Sequence, residues 1–377
     1  MTTGASVTSE LEVLMARTVE AHGGWIGFDE FMAIALYQPA LGYYARPTQK
    51  FGLMSPGHAR LSGGDFVTAP ELSPLFGWTL ASQVAQALEA TATHTIWEFG
   101  AGSGRLALQV LQGLRALGLA LPRYHVVELS ATLRALQEQT LAEFSAQLVW
   151  VDTLPDHIEG VVLGNEVLDA MPVKLLHRVK GEWHERGVVL CEPTAQQVER
   201  FAWQDRQSPL RPPVEIEGEQ DFLTEIHQQS EAFVRTLADK LRQGAVFLLD
   251  YGFSEREYYH PQRHMGTLMC HHLHKADTDP LTLLGQKDIT AHVNFTGLAV
   301  AAQEAGLDVL GYCNQARFLI NCGFVGHLEQ ASQGQRVMAQ RLIMEHEMGE
   351  LFKCIGFSKG PIWQAMGFAQ GDKTHTL

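Results

Sequence analysis

The chain has 377 residues, of which 46% are hydrophobic and 19% charged, a composition typical of a folded globular protein and not of a disordered one. Its formal charge of −14 disfavours broad binding to the phosphates of nucleic acids. The five cysteines form no C-x-x-C pair, and the sequence shows neither a signal peptide nor an apolar run long enough to span a bilayer, so a cytoplasmic protein with reduced thiols is expected.

The first half of the chain alternates between helical spacing and short apolar runs. In chain order, the sequence predicts helices over 11–44, a Gly-, Pro- and Ser-rich flap over 46–64, a helix from about Ser73, strands at 95–99, 124–129, 148–151 and 161–164, and helices at 106–117 and 130–144. Strands that alternate with helices are typical of a parallel sheet covered on both faces. The predicted fold class is therefore a doubly wound, Rossmann-like α/β sheet preceded by an N-terminal helical and flap segment.

The second half of the chain departs from that alternation. Two apolar runs, at 173–179 and 183–190, flank Lys180 and Gly181 and predict an antiparallel β-hairpin. The sequence then predicts a polar surface insertion at 195–220, a helix at 221–242, a strand at 245–250, a helix at 296–305, a strand at 307–312 and a helical remainder at 315–377. Five segments are expected: N-terminal helices and flap (1–94), a Rossmann-like core (95–172), an inserted hairpin and helix (173–244), the rest of the core with substrate-side loops (245–323) and a C-terminal helical tail (324–377).

A glycine-rich turn follows the strand at 95–99. Gly100, Gly102 and Gly104 carry no side chains, so backbone amides at this strand-to-helix turn can approach a ligand closely. The dinucleotide fingerprint would need Gly or Ala where this chain has Arg105, and the carboxylate of Glu98 suits a cationic ligand better than a pyrophosphate. S-adenosylmethionine, which carries a sulfonium and an ammonium group, is therefore the expected cofactor. A tight turn that binds no ligand is the alternative.

Two acidic residues at the ends of the next strands extend this site. Glu128 closes the strand at 124–129, where the doubly wound fold places a carboxylate against ribose hydroxyls. Asp152 closes the following strand and is expected to receive the adenine edge, with a turn or helix N-cap as an equal alternative. The cofactor site predicted from the residues thus joins the ends of three neighbouring strands.

Four strings of residues resemble the MidA family of class I S-adenosylmethionine-dependent methyltransferases. In chain order they are GDFVTAPELS (64–73), GNEVLDAMP (164–172), LDYG (249–252) and DITAHVNF (288–295). The resemblance runs from about Phe31 to Gly323, with a longer flap at 51–64 and with Asn294 where the family more commonly has Asp. A mitochondrial member is a protein arginine methyltransferase that acts in respiratory complex I assembly, so the resemblance implies methyl transfer to an arginine guanidinium.

Side chains at the carboxyl end of the fourth strand are expected to carry the chemistry. Methyl transfer is an in-line displacement, for which an enzyme aligns the nucleophile and removes or hides its proton. Asn165, Glu166 and Asp169 leave the edge at which open α/β sheets bind ligands, and carboxylates can hold a guanidinium through paired hydrogen bonds. If this segment is helical, the three-residue spacing of Glu166 and Asp169 puts both carboxylates on one face. Capping of a following helix, or pairing with a buried Arg, is the structural alternative.

The resemblance also implies roles for residues next to the flap. It places the motif at 64–73 over the cofactor, so Asp65 and Thr68 are expected to contact the cofactor and Glu71 the substrate. Thr68 to Glu71 could equally be turn and helix-start residues.

Three further residues are expected on the substrate side. Tyr251 belongs to the third family motif, and Tyr259 lies in a His- and Tyr-rich stretch at 258–274 that is expected to line the substrate entrance. The spacing of that stretch matches no standard metal site, so no metal is predicted. His292 would orient the acidic pair or the target, unless it is a satisfied structural histidine.

The sequence thus predicts an S-adenosylmethionine-dependent methyltransferase, with a protein arginine nitrogen as the target. The alternatives are a methyltransferase for a small molecule or another residue type, a cofactor-binding assembly factor without catalysis, and a nucleotide-dependent oxidoreductase, against which Arg105 and Glu98 argue. A protein substrate is expected, with neither a nucleic acid nor a membrane as partner, and a homodimer is left open as the assembly.

Overall fold

The computed structural model describes residues 3–46, 67–191, 200–273 and 275–377. The chain divides into two compact units, each assembled from three separate stretches. The first unit comprises Met1–Thr48, Asp169–Ser230 and Glu255–Asn294, and the second comprises Gln49–Leu168, Glu231–Ser254 and Phe295–Leu377.

Helices and strands alternate along most of the described chain. The α-helices are α1 (Thr3–Ala21), α2 (Phe28–Tyr37), α3 (Ala69–Leu72), α4 (Leu75–Ala90), α5 (Arg105–Ala116), α6 (Ala131–Thr140), α7 (Gln228–Lys240), α8 (Glu255–Tyr258), α9 (Phe295–Glu304), α10 (Gln315–Asn321), α11 (Phe324–Gln330) and α12 (Gln333–Gln340). The strands are β1 (Ile26–Gly27), β2 (Thr95–Phe99), β3 (Arg123–Val127), β4 (Leu148–Val151), β5 (Ile158–Asn165), β6 (Lys174–Val179), β7 (Glu182–Leu190), β8 (Phe201–Gln207), β9 (Phe222–Ile226), β10 (Leu241–Phe253), β11 (Met269–His272), β12 (Lys275–Asp277), β13 (Asp288–Thr290), β14 (Val293–Asn294), β15 (Asp308–Asn314) and β16 (Phe352–Lys359). None of the described helices combines the length and the apolar character that crossing a bilayer requires.

The second unit is built around a mostly parallel sheet with the strand order β15-β16-β10-β5-β2-β3-β4. The strands from β10 to β4 pair in parallel, whereas β16 runs antiparallel to both of its neighbours. The order of the strands reverses between β2 and β5, and a doubly wound sheet binds its ligand at such a switch point. The predicted doubly wound α/β sheet is confirmed.

The central strands of this sheet are buried along almost their whole length. In β5 one residue, Glu159, is exposed, and in β10 the run from Gly244 to Asp250 is buried throughout. Continuous apolar burial of this kind indicates a parallel sheet with both faces covered. The core of the unit combines these strands with the buried sides of α4 and α5.

The first unit contains an antiparallel sheet with the order β1-β7-β6-β9, in which β8 also pairs with β7. β6 and β7 form the predicted hairpin, since Val179 pairs with Glu182 across the turn. Lys180 and Gly181 have φ angles of 50° and 82°, and two consecutive left-handed residues are the geometry of a tight two-residue hairpin turn. A second, three-stranded sheet has the order β12-β11-β13.

Two predictions of secondary structure were wrong. The helix predicted over 221–242 begins as strand β9 before α7, and the predicted polar insertion at 195–220, for which no strand was predicted, contains β8. The four-residue interval between Phe222 and Ile226 fits a helix as well as a strand, and their burial in β9 is decided by pairing with β6. The tail expected to be helical contains β16, which lies between β10 and β15 in the sheet. The division into five segments stays a prediction.

Candidate functional site

The glycine turn connects β2 to α5 in the second unit. Gly100, Gly102 and Gly104 have φ angles of 66°, 52° and 83°, a left-handed backbone that side chains rarely tolerate. Gly104 is the N-cap of α5, and a Cβ atom added to Gly100 would lie 2.7 Å from Cγ2 of Val167. The turn therefore presents bare backbone at a helix N-terminus, directly beside the loop that follows β5.

Glu98 lies in β2, two residues before the turn, and its side chain is 2% exposed. The hydroxyl of Tyr124 donates a hydrogen bond of 2.6 Å to its Oε2. Burial raises the pKa of Glu98 to about 7, although the hydrogen bond from Tyr124 acts in the opposite direction. Direct contact between Glu98 and the cofactor stays a prediction.

Glu128 follows β3 and is joined to the glycine turn by Gln137. Its Oε1 accepts a hydrogen bond of 2.7 Å from the backbone N–H of Ser130, and its Oε2 accepts one of 3.0 Å from Nε2 of Gln137. The same Nε2 donates to the carbonyl of Gly102 at 3.0 Å, and Oε1 of Gln137 accepts from the indole of Trp150 at 3.0 Å. A single amide thus ties together the loop after β2, the loop after β3 and strand β4.

Gln137 was not among the residues predicted from the sequence. The signal is faint, because it consists of one buried residue on α6, whose other residues are partly or fully exposed. Asp152 lies after β4 as predicted, and it is exposed to solvent. Its contact with adenine stays a prediction.

The residues after the flap lie against the glycine turn. Thr68 is the N-cap of α3, and the carboxylate of Glu71 accepts a hydrogen bond from the hydroxyl of Ser103 and lies 3.7 Å from Nε of Arg105. Burial raises the pKa of Glu71, while Ser103 and Arg105 act to lower it. Glu71 thus contacts residues of the glycine motif, and its contact with the substrate stays a prediction. Asp65 lies outside the described residues.

Asn165 and Glu166 stand at the carboxyl end of β5. Oε1 of Glu166 accepts hydrogen bonds from the backbone N–H of Ala69 at 3.3 Å and from Nδ2 of Asn165 at 3.0 Å. Glu166 has a φ of 54°, and its own N–H donates to the carbonyl of Leu249 at 2.9 Å. A non-glycine residue held in this conformation stores backbone strain, which is found preferentially at functional sites.

Glu166 and Asp169 do not share a helix face, so that prediction was wrong. The described chain has no helix between β5 and β6, because the left-handed backbone at Glu166 turns it away from helical geometry. Capping of a following helix is wrong for the same reason.

Asp250 lies in β10 and holds the loop that follows β5 by hydrogen bonding. It is fully buried, and its two carboxylate oxygens accept hydrogen bonds of 2.9 Å from the N–H groups of Leu168 and Tyr251. Tyr251 is half-buried, with its ring 5.4 Å from that of Phe352 in an edge-to-face contact. The role of Tyr251 in binding substrate stays a prediction, whereas Asp250 was missed as a supporting residue although it lies in a motif of the resemblance.

The structure places Asp169 in the first unit, near a second buried acid. Asp169 is 6% exposed and Asp288 is 3% exposed, and the hydroxyl of Tyr44 donates a hydrogen bond of 2.8 Å to Asp288. The ring of Tyr37 stacks on that of Tyr44, with the centroids 5.6 Å apart. Burial, followed by the charges of Asp288 and Asp169, raises the pKa of both tyrosines, which therefore stay protonated donors.

His292 and Tyr259 also lie in the first unit. The backbone N–H of His292 donates to the hydroxyl of Thr267 at 3.1 Å. Tyr259 is 4% exposed, and its hydroxyl donates to the carbonyl of Glu225 at 3.1 Å, a structural contact that the sequence did not predict. Their contacts with substrate stay predictions.

Within the described ranges, no three His, Cys, Asp or Glu side chains gather closely enough to hold a metal ion.

The residues of the second unit fit S-adenosylmethionine. The glycine turn presents bare backbone with left-handed φ angles, and the carboxylate of Glu128 is held beside it through Gln137. Glu128 would accept hydrogen bonds from ribose hydroxyls, and the turn would contact the amino-acid end of the cofactor. When bound, the cofactor supplies an electrophilic methyl group.

The chain is similar to known proteins along most of its length. The family model Methyltransf_28, described as "Putative S-adenosyl-L-methionine-dependent methyltransferase", matches residues 79–313. A solved structure from Burkholderia thailandensis, described as a "likely methyl transferase" bound to S-adenosyl-homocysteine, is 43% identical, covers 100% of this chain and 99% of that chain, and has a TM-score of 0.92.

Curated relatives are more distant. The protein arginine methyltransferase NDUFAF7, mitochondrial, of Danio rerio is 26% identical, with 88% of this chain and 82% of the relative covered. The homolog from Drosophila melanogaster is 30% identical, with 81% and 74% covered. The resemblance predicted from the motifs is confirmed, and the chain belongs to the MidA family of S-adenosylmethionine-dependent methyltransferases, with S-adenosylmethionine as its cofactor.

Proposed function

We propose that the chain transfers the methyl group of S-adenosylmethionine to a guanidinium nitrogen of a protein arginine. The observation that carries the proposal is the position of the Glu166 carboxylate. It is held by the N–H of Ala69 and the amide of Asn165, and the next residue, Val167, lies against Gly100 of the glycine turn. A carboxylate fixed beside the cofactor turn suits a cationic substrate.

The chemistry of arginine explains why a carboxylate is useful here. The guanidinium has a pKa above about 12, so it reaches the site with its full charge and with N–H groups in a planar fork. A carboxylate can accept from that fork, direct one nitrogen at the methyl carbon and take up the proton that the nitrogen loses.

Two further observations support the proposal. The relatives from zebrafish and fly carry the name protein arginine methyltransferase, and the chain covers more than two thirds of each. The surplus of acidic over basic residues favours a basic protein segment over a nucleic acid as the substrate. We also propose a cytoplasmic location.

The test is transfer of labelled methyl groups to proteins. A lysate of cells that lack this protein is incubated with the purified chain and methyl-labelled S-adenosylmethionine, and tandem mass spectrometry identifies the modified atom. The expected product is methylarginine, and Glu166→Gln should lower the rate by roughly 100-fold, because amide replacement removes the charge that holds the guanidinium. The exposed Glu89 on α4 offers a matched control, since Glu89→Gln should react at the wild-type rate.

Each alternative function gives a different result. Label on a small molecule or on a residue other than arginine would refute the proposed target. Cofactor binding without any transfer would indicate an assembly factor that does not catalyse methylation.

A further inference from the structure

The side chain of Asn165 has one buried polar atom without a hydrogen-bond partner. Asn165 is 9% exposed, and its Oδ1 accepts no hydrogen bond from any residue that the structure describes. Its Nδ2, by contrast, donates to Oε1 of Glu166 at 3.0 Å. Buried polar groups are almost always paired, so an isolated acceptor at the carboxyl end of β5 calls for an explanation.

The orientation of the Asn165 amide is set by its neighbour. An ionised carboxylate can only accept hydrogen bonds, so the atom of Asn165 that faces Glu166 must be the nitrogen. The oxygen is then the acceptor that has no partner among the described residues. Asn165 and Glu166 thus both carry acceptor oxygens, and one N–H of the Asn165 amide is engaged by Glu166.

This pair lies beside the cofactor turn, on the strand next to the one that leads into it. β5 pairs with β2 along Ile96 to Phe99, and Phe99 lies opposite Gly164, the residue before Asn165. Atoms at the end of β5 thus adjoin the glycine turn, beside which the proposed function places methyl transfer. A group that donates hydrogen bonds to both residues would be held at that place.

We infer that Oδ1 of Asn165 accepts an N–H of the methyl-accepting nitrogen while Glu166 accepts a second N–H, so that the site selects a nitrogen that carries at least two hydrogens. Guanidinium, primary amine and carboxamide groups meet this requirement. Hydroxyl and carboxyl oxygens do not, because they offer at most one hydrogen. The inference rests on the proposed function for the location of the transfer. It extends that function by naming the atom that recognises the substrate nitrogen.

The two acceptors also account for the proton in the transfer. The lone pair of the target nitrogen forms the bond to the methyl carbon, and the carbon–sulfur bond of the cofactor breaks with its electron pair left on sulfur. The nitrogen then loses one hydrogen as a proton, which the Glu166 carboxylate accepts. Asn165 keeps the other N–H in place and takes no proton itself.

Two variants distinguish binding of the substrate nitrogen by Asn165 from a role of Asn165 that only holds Glu166 in place. Asn165→Leu has a similar shape but removes both the acceptor and the donor, whereas Asn165→Asp keeps an acceptor oxygen and removes the donor to Glu166. Label transfer into lysate proteins is measured for each, and calorimetry with S-adenosyl-homocysteine serves as a second readout. The inference predicts that Asn165→Leu lowers the turnover rate at least about 100-fold and changes cofactor affinity less than about twofold. It also predicts that Asn165→Asp transfers at least about ten times faster than Asn165→Leu.

The results distinguish failure of the inference from failure of the proposed function. If Asn165→Asp is no faster than Asn165→Leu, the amide serves only to hold Glu166 and the inference is wrong, whatever the target. Label on a lysine or glutamine nitrogen would refute arginine as the target and leave the inference standing. Label on an oxygen would refute both, and this outcome needs only the wild-type chain, so it holds even if Asn165→Leu does not fold.

Discussion

At the scale of single residues, the fold sets the charge of the acid in the cofactor motif. The sequence identifies Glu98 as a carboxylate that suits a cationic ligand, but the structure buries it with Tyr124 as its hydrogen-bond partner. Burial favours the neutral form and raises the pKa from 4.5 to about 7. The charge of Glu98 near neutral pH is therefore a property of the fold, which residue identity alone does not reveal.

This pKa predicts how the stability of the cofactor-free protein depends on pH. Folded Glu98 binds its proton more tightly than unfolded Glu98, so its contribution is favourable at low pH and is lost as the pH rises from 4.5 through about 7. Relative to Glu98→Gln, which keeps an acceptor for Tyr124, the wild-type free energy of unfolding should fall by about 2 to 3 kcal/mol between pH 5 and pH 8. Urea unfolding of both proteins across this range measures the difference. A constant difference would mean that Glu98 is ionised in the fold.

Gln137 supports a prediction about the cofactor site. Gln137→Leu removes the hydrogen bonds to Gly102 and Glu128, and the loss of a bond to a charged group corresponds to about 1.5 to 3 kcal/mol. Its affinity for S-adenosyl-homocysteine, measured by calorimetry, should fall by roughly 10- to 100-fold. Gln137→Leu also loses the hydrogen bond from Trp150. The control variant, Gln112→Leu, loses its side-chain hydrogen bonds to Trp78 and Glu143 but does not touch the turn, and it should bind within about twofold of wild type. Wild-type affinity of Gln137→Leu would show that the turn holds its shape without it.

At the scale of elements, local sequence patterns predicted helices, strands and the hairpin, but they did not predict which distant strands pair. The hairpin was predictable because Lys180 and Gly181 lie between two apolar runs, and the strands around the glycine turn were predictable because each adjoins a helical pattern. β16 was missed because α10, α11 and α12 separate it from β15, and a still longer stretch of chain separates it from β10. An apolar run of this length fits a buried helix equally well until its partners are known.

The candidate site, too, was only partly predictable from the sequence. Asn165 and Glu166 could be found from the sequence because they lie where a strand ends and belong to a motif of the resemblance. The N–H of Ala69, which donates to the Glu166 carboxylate, and the carbonyl of Leu249, which accepts from the N–H of Glu166, lie far away in the chain. Such contacts exist only once the sheet has formed.

Gly160, where β5 lies between β10 and β2, gives a prediction at this scale. Gly160 pairs with Gly244, and a Cβ atom at Gly160 would overlap the carbonyl oxygen of Thr95. Gly160→Ala should therefore lower the free energy of unfolding by about 2 to 4 kcal/mol, because it forces apart backbones in the middle of the sheet and strains a φ of 118°. Gly118→Ala is the control: its φ is 73° with nothing within 4 Å, so strain alone should cost about 1 kcal/mol. Equal losses in urea unfolding would contradict this account of the packing.

At the scale of the whole molecule, the chain passes repeatedly between two units. Each unit takes three separate stretches, and one passage from the second unit to the first occurs between Leu168 and Asp169, inside the motif that carries the acidic residues. Dividing the sequence into consecutive segments cannot reveal these two units, because the units depend on which distant stretches of the chain pack together. The glycine turn and Glu128, which are predicted to hold the cofactor, lie in one unit, so cofactor binding tests that unit directly.

Titration of the chain with S-adenosyl-homocysteine, for wild type and Gly102→Val side by side, tests the central claim most directly. The account predicts saturable binding with one site per chain for wild type. It predicts no detectable binding for Gly102→Val, because the side chain occupies the path of the cofactor and the φ of 52° at this position disfavours a β-branched residue. Thermal unfolding without ligand establishes that the variant is folded. Absence of binding by the wild type, or wild-type affinity in folded Gly102→Val, would contradict the assignment of the cofactor site to the glycine turn.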